Sequence, residues 1–245
     1  MTSLAILSVA IHLAASPSPS AAVRKPASTQ LYFEQATVSS LDGHAGPAQH
    51  VRVWCAGPRL RMEDTDAGGV IILRLDQGRA YRLDAQTRTA HLYPASAVGD
   101  ASREDLAEAG GEIGTAAAAA FTSRPLPGTK TVAGHRCRGY RLLAGETEVD
   151  VYVARDLPVG LDAFSAFLRW SGAEKALPGF LATLRKLGGF PLETRARWRT
   201  GSSARETVAT ITAIRVGPAE PRLFEPPAGY RVARPDAEGG PKDER

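Results

Sequence analysis

In the stretch LDAFSAFLRWSGAEKALPGFLATLRKLGGF, residues 161–190, apolar side chains recur at the spacing of a helix. Leu161, Phe164, Phe167 and Leu168 fall on one stripe, and after a Ser-Gly break Leu177, Phe180, Leu181, Leu184 and Leu187 fall on another. The pattern predicts a helical hairpin, with Pro178 near the start of its second helix or kinking it. On either side the period changes to two. In ETEVDVYVARDLP (146–158), Val149, Val151 and Val153 share one face, with Asp150 and Tyr152 on the other. FPLETRARWRT (190–200) and ETVATITAIRV (206–216) alternate in the same way. A helical pair is thus inserted between neighbouring strands. If the sheet is a single curved one, that insertion is well placed to cover its concave apolar face. Two readings stand side by side, a hairpin that completes the core and a lid over a cavity that admits acyl chains. The lid would comprise Leu161, Phe164, Phe167, Leu168, Phe180, Leu181 and Leu184, with Trp54 and Trp170 contributing.

Further out, the block from Leu31 to Pro94 reads as five or six short antiparallel strands: LYFEQATVSS, HVRVWCAG, PRLRMED, GGVIILRLD, RAYRLD and TRTAHLYP. Gly57-Pro58 and Gln77-Gly78 supply turn signals. Residues 95–128 read as helical, with a capping box at Ser102 and Asp105 and an alanine run ending at Phe121. PRLFEPPAGYRV (221–232) reads as a short helical turn and a last strand.

The first 22 residues contain no Lys, Arg, Asp or Glu, and the apolar run Leu4–Ala15 is too short to span a bilayer of ~30 Å. With the small, Pro-rich SPSPSAA after it, this reads as a secretory signal peptide, although Met1-Thr2-Ser3 carries no basic side chain. The expected organisation is a signal peptide over 1–22, a flexible arm over 23–30, one domain over 31–233 and a polar tail over 234–245. The expected location is extracytoplasmic, in the periplasm or its equivalent.

The chain has 245 residues, 43% hydrophobic, with a formal net charge of +4, enough for one continuous core. A pI near 9.3 invites a nucleic-acid reading. The arginines argue against it: Arg52, Arg61, Arg74, Arg82, Arg141 and Arg197 each alternate with apolar neighbours, as on the solvated face of a one-sided sheet. At most a peripheral attraction to anionic headgroups is expected. GxSxG, a P-loop and HExxH are absent from the sequence, so no catalytic residue is predicted.

His135 and Cys137 have the spacing of two zinc ligands, but the other histidines and Cys55 offer no clustered companions. No metal and no cofactor is therefore predicted. In an exported chain two cysteines are first a disulfide candidate, and a bond from Cys55 to Cys137 would close a loop of about 80 residues, worth roughly 4.5 kcal/mol. Two buried free thiols are the alternative.

Taken in order, VRVWCAGPRLRME, GRAYRLDAQTRTAHLYP, TVAGHRCRGYRL, VDVYVARDLP, GFPLETRARW and LFEPPAGYRV resemble exported bacterial domains of unknown function related to the outer-membrane lipoprotein carriers, the LolA/LolB-like superfamily. The resemblance covers nearly all of 31–233. It implies an α+β fold, an open antiparallel half-barrel with helices over its concave face. It brings no catalytic residues. The function expected is a non-enzymatic protein that binds or carries a lipid or lipoprotein acyl chain. The alternative is a structural or protein-interaction domain of the cell envelope, with an envelope protein as partner and a fully packed core.

Overall fold

The computed structural model describes residues 29–97, 121–171 and 177–234. The predicted signal peptide, most of the arm, the helix at 102–110, the alanine run before Phe121 and the tail beyond Arg234 lie outside these residues.

Alternating segments become strands β1 (Thr29–Leu41), β2 (His44–Ala45), β3 (Gln49–Ala56), β4 (Arg59–Asp64), β5 (Val70–Arg74), β6 (Arg79–Asp84) and β7 (Thr89–Pro94). After them come β8 (Thr122–Val132), β9 (His135–Ala144) and β10 (Thr147–Ala154). A 3-10 turn (Leu161–Phe164), helix α1 (Ser165–Ser171) and helix α2 (Pro178–Leu187) follow. The chain then returns to β11 (Phe190–Thr200) and β12 (Ser203–Pro218), and passes through a 3-10 turn (Pro221–Phe224) into β13 (Arg231–Ala233). Pro178 opens α2, where its missing N–H has no helical partner to lose. Gly57 and Gly78 adopt positive φ at the turns the sequence marked, and Gly145 does so between β9 and β10.

The strands form one large curved sheet, ordered β13-β7-β6-β5-β4-β3-β1-β12-β11-β10-β9-β8, with β2 against β1. Neighbours are antiparallel except β13 and β7, which run parallel. The order ends on β8 and β13, so the sheet is not closed into a barrel. No described helix is long and apolar enough to cross a membrane, which leaves membrane-crossing strands untouched.

Two expectations need correction. Residues 122–128 do not extend a helix; they are the first part of β8. Pro125 and Pro127 lack the N–H an inner helical turn requires, and β8 is an edge strand, where prolines are tolerated. The expected Cys55–Cys137 bond is not formed, and both residues are buried free thiols. Cys55 lies on β3 and Cys137 on β9, five strand spacings apart, about 24 Å along the sheet.

Candidate functional site

The alternation of side chains sorts the sheet into two faces. Register links Leu31, Cys55, Leu60, Leu73 and Ala80 across β1, β3, β4, β5 and β6, and all five belong to the main hydrophobic core. Phe33, Val53, Leu142, Val149, Val151, Val153, Phe190, Leu192 and Ile211 join the same cluster. So do Leu161, Phe164, Phe167, Leu168, Phe180, Leu181 and Leu184, the seven aliphatic and phenylalanine positions expected of a lid. Trp170 packs at the margin of the cluster. The Phe164 ring lies 5.7 Å from that of Phe33 and 6.4 Å from that of Phe190. Phe167 stacks on Trp170 at 5.4 Å, and Phe180 meets Phe121 edge-on at 5.5 Å.

Several polar ties between this segment and the rest of the molecule run to main-chain oxygens. Trp170 Nε1 donates to the Ala95 carbonyl at 2.7 Å, and Thr183 Oγ1 to the Phe121 carbonyl at 3.3 Å. Cys55 Sγ donates to the Ala163 carbonyl at 3.2 Å. Arg155 Nη2 donates to the Leu187 carbonyl at 2.7 Å and to the Tyr140 hydroxyl at 3.0 Å, which puts a cation at the C-terminal end of α2. Nothing in the spacing of VYVARDLP distinguishes Arg155 from the other strand arginines, and sequence reasoning missed it. Phe33 and Phe190 were also missed, although the alternation of LYFEQATV already assigns Leu31 and Phe33 to one face.

Trp54 is the exception among the expected lid residues. One position from Cys55, it faces the other side of the sheet. There it stacks on Tyr32 at 4.9 Å and takes part in a second, smaller core with Ile72, Tyr81, Leu83, Ala90 and Phe224. The segment after β12 forms the cover of this core: Phe224 is fully buried, and the Arg59 guanidinium lies 5.1 Å from the centre of its ring. Arg74 pairs with Glu225 and, at 2.9 Å, with Asp76, so it is buried rather than solvated. Arg61, held by Glu63 and by the Leu223 carbonyl, likewise departs from the solvated-face expectation, whereas Arg52 keeps it.

On the core side, β1 changes character along its length. Leu31 and Phe33 give way to Gln35, Thr37 and Ser39. Gln35 Nε2 donates to Thr37 Oγ1 at 3.0 Å, and Ser39 and Thr207 hydroxyls meet at 3.1 Å. Across β9 to β12, on the opposite face, a charge ladder runs in register: Arg141 to Asp150 at 2.6 Å, Arg197 to Glu148 at 2.5 Å and Arg197 to Glu206 at 2.8 Å. Burial opposes ionisation of Asp150, but hydrogen bonds from Arg141 and Arg197 outweigh it and hold its carboxyl below the usual range.

The chemistry of the thiols follows from their burial. Desolvation pushes Cys55 up to about 12 and Cys137 up to about 11, so both are neutral and poorly nucleophilic. His135 Nδ1 lies 2.9 Å from Asp156, and Cys137 Sγ donates to the His135 carbonyl. Among the described residues no three of His, Cys, Asp and Glu converge as a metal site.

No curated protein matches the chain. Among solved structures it is similar to two crystal forms of PNGF-II, each 12% identical, with TM-scores of 0.31 and 0.33. Each alignment covers 84% of this chain, which spans 31% of the PNGF-II length. It is also similar to the LolA superfamily protein NE2245 from Nitrosomonas europaea, at 10% identity and a TM-score of 0.32, covering 92% of this chain and 98% of that one. A family model described as a domain of unknown function, DUF4412, matches residues 125–230, which run from within β8 to the segment before β13. Over those residues the chain is similar to the DUF4412 domain, in agreement with the family of unknown function that its motifs resemble.

Proposed function

We propose that the chain is a non-enzymatic, extracytoplasmic protein that takes a hydrophobic ligand, a lipid or lipoprotein acyl chain, between the sheet and the α1–α2 segment. One observation carries this reading: the apolar stripe of the helices and the inward rows of an open sheet form a single cluster. Burial of an alkyl chain there would be driven by about 25 cal/mol per Å² of apolar surface, less the costs of association. The helices act as the cover of the concave side. They are short, of seven and ten residues, and the side-chain ties described above are few beside the apolar contacts. Displacing them exposes the floor without breaking any strand pairing. The uncharged leader supports export, and the Gln35–Thr37–Ser39 end of the inner face offers a polar terminus to an amphiphile.

A second reading, a structural or partner-binding domain with a filled interior, is favoured by one observation. Phe164, Leu168, Leu181 and Leu192 are all 0% exposed, so the closed form leaves no free surface at these positions. The two are separated by titrating a W54F/W198F variant, in which Trp170 is the remaining tryptophan, with stearate brominated along its chain. Saturable quenching of Trp170, stronger in a further Phe164→Ala variant, supports the ligand-binding reading. An unquenched Trp170, together with native mass spectra free of lipid, supports the filled interior.

A further inference from the structure

Across the sheet, one row of the inner face passes from polar to buried apolar. Register sets His91, Arg82, Ile71, Met62, Val53 and Phe33 side by side on β7, β6, β5, β4, β3 and β1. Ile71, Met62, Val53 and Phe33 belong to the main core or pack against it, whereas Tyr81 and Leu83, the chain neighbours of Arg82, belong to the core on the far face. Arg82 is therefore exposed, as the sequence predicts, but on the side of the main core. Exposure falls along the row: Arg82 is open, Ile71 and Met62 are half-buried, and Val53 and Phe33 are 0% and 2% exposed. From β6 to β1 there are four strand spacings, about 19 Å along the sheet, which a long saturated acyl chain spans.

Arginines of the outer face have carboxylates of their own: Arg61 has Glu63, Arg74 has Asp76 and Glu225, and Arg141 has Asp150. Arg82 makes no ion pair among the described residues, and the residues directly across from it are Ile71 and His91. Two carboxylates share its side of the sheet and oppose an incoming anion, Asp84 on the same strand and Asp64 opposite Val51. Both are committed to the amides of their own turns. Asp84 accepts from the Gln86 and Thr87 N–H groups at 2.9 and 3.1 Å, and Asp64 from those of Asp66 and Ala67 at 3.0 and 2.9 Å. The guanidinium is left to an outside partner. A single charged donor beside apolar surface is how a site fixes one end of an otherwise oily ligand. The other polar part of the inner face, Gln35, Thr37 and Ser39, carries no charge and cannot tell an acid from an alcohol by charge.

We propose that Arg82 binds the anionic head of a single-chain amphiphile, a fatty-acid carboxylate, whose tail lies along Ile71 and Met62 and ends at Val53 and Phe33. The inference rests on the acyl-chain reading above and narrows its ligand to an acid.

The test uses the Trp170-only variant with stearate brominated along its chain and the brominated alcohol of the same length, both below the concentrations at which they aggregate. The acid should bind more tightly than the alcohol. Arg82→Gln should weaken the acid by about tenfold and leave the alcohol unchanged, and Arg82→Lys should restore part of the loss. Arg52→Gln, which removes the same charge from the outer face, should leave both affinities unchanged. Saturable quenching by acid and alcohol alike, with no effect of Arg82→Gln, would overturn the assignment of Arg82 and leave the acyl-chain reading standing. An equal loss of acid affinity in Arg52→Gln would reduce the effect to net charge and would overturn the assignment too. Absence of quenching by either probe would overturn both readings together.

Discussion

Cys55 and Cys137 keep their protons well above neutral pH because the thiolate form would lose its hydration in the core. Each folded value is raised above the unfolded one, so the associated stability is complete below about pH 9 and is lost as pH rises towards 11 and 12. Iodoacetamide at pH 8 should therefore leave both native thiols largely unmodified and alkylate both once the chain is unfolded in denaturant without reductant. A mass spectrum showing a bonded pair would refute the free-thiol arrangement. Asp150 behaves oppositely. Its folded value is depressed, so its contribution is present above the ordinary carboxylate range and is lost as acid protonates it. Asp150→Asn should cost about 2 kcal/mol at pH 7 and flatten the acid limb of a stability-against-pH curve measured by urea unfolding. Single residues were the hardest scale to read from sequence. Two cysteines and a signal-like leader pointed to a bond, but the number of residues between them says nothing about how many strands separate them. Trp54 was misplaced although its alternation with Cys55 was in view, since alternation gives sides and not which side the helices take.

Elements were read more securely, because hydrophobic period is a local property. The strands from β3 to β7 and from β9 to β12 follow the alternation, and the two helices follow the stripe of 161–187. Residues 122–128 were misread because an edge strand with Pro125 and Pro127 has neither a buried face nor a period. The 3-10 turn after β12 was expected, but its task was not: Phe224 fills a second core on the far face. Phe164→Ala and Phe224→Ala should each cost about 3–5 kcal/mol, measured by denaturant unfolding, as full truncations of buried aromatic rings. Only the former should alter acyl-chain uptake, if the proposed lid is correct. Gly189 links α2 to β11 at a φ of +85°, and a side chain there would collide with the Ala154 carbonyl. Gly189→Ala should lower stability by roughly 2 kcal/mol or more, visible as a fall in Tm.

At the scale of the molecule, the count and spacing of strands pointed to an antiparallel β-fold and the family resemblance implied an open curved sheet, whereas the strand order was legible from neither. Nothing local tells β1 to sit between β3 and β12. The family match begins inside β8 and leaves β1 out, yet β1 is the neighbour of β12 along its whole length. The matched residues alone would also lack Leu31, Phe33, Val53 and Cys55, which share the main core with the helical residues. A fragment of 125–230 should therefore show no cooperative thermal transition, while residues 29–234 should show one, a comparison that circular dichroism can make. The central place of β1 also constrains how the chain is made. A ribosome delivers it early and β12 nearly last, some 170 residues later by register, so one side of β1 waits unpaired through most of synthesis. Such a long wait implies slow closure and an early half that needs shelter from aggregation. On the proposed export, it also gives a translocation channel time to receive a chain that has not yet locked shut.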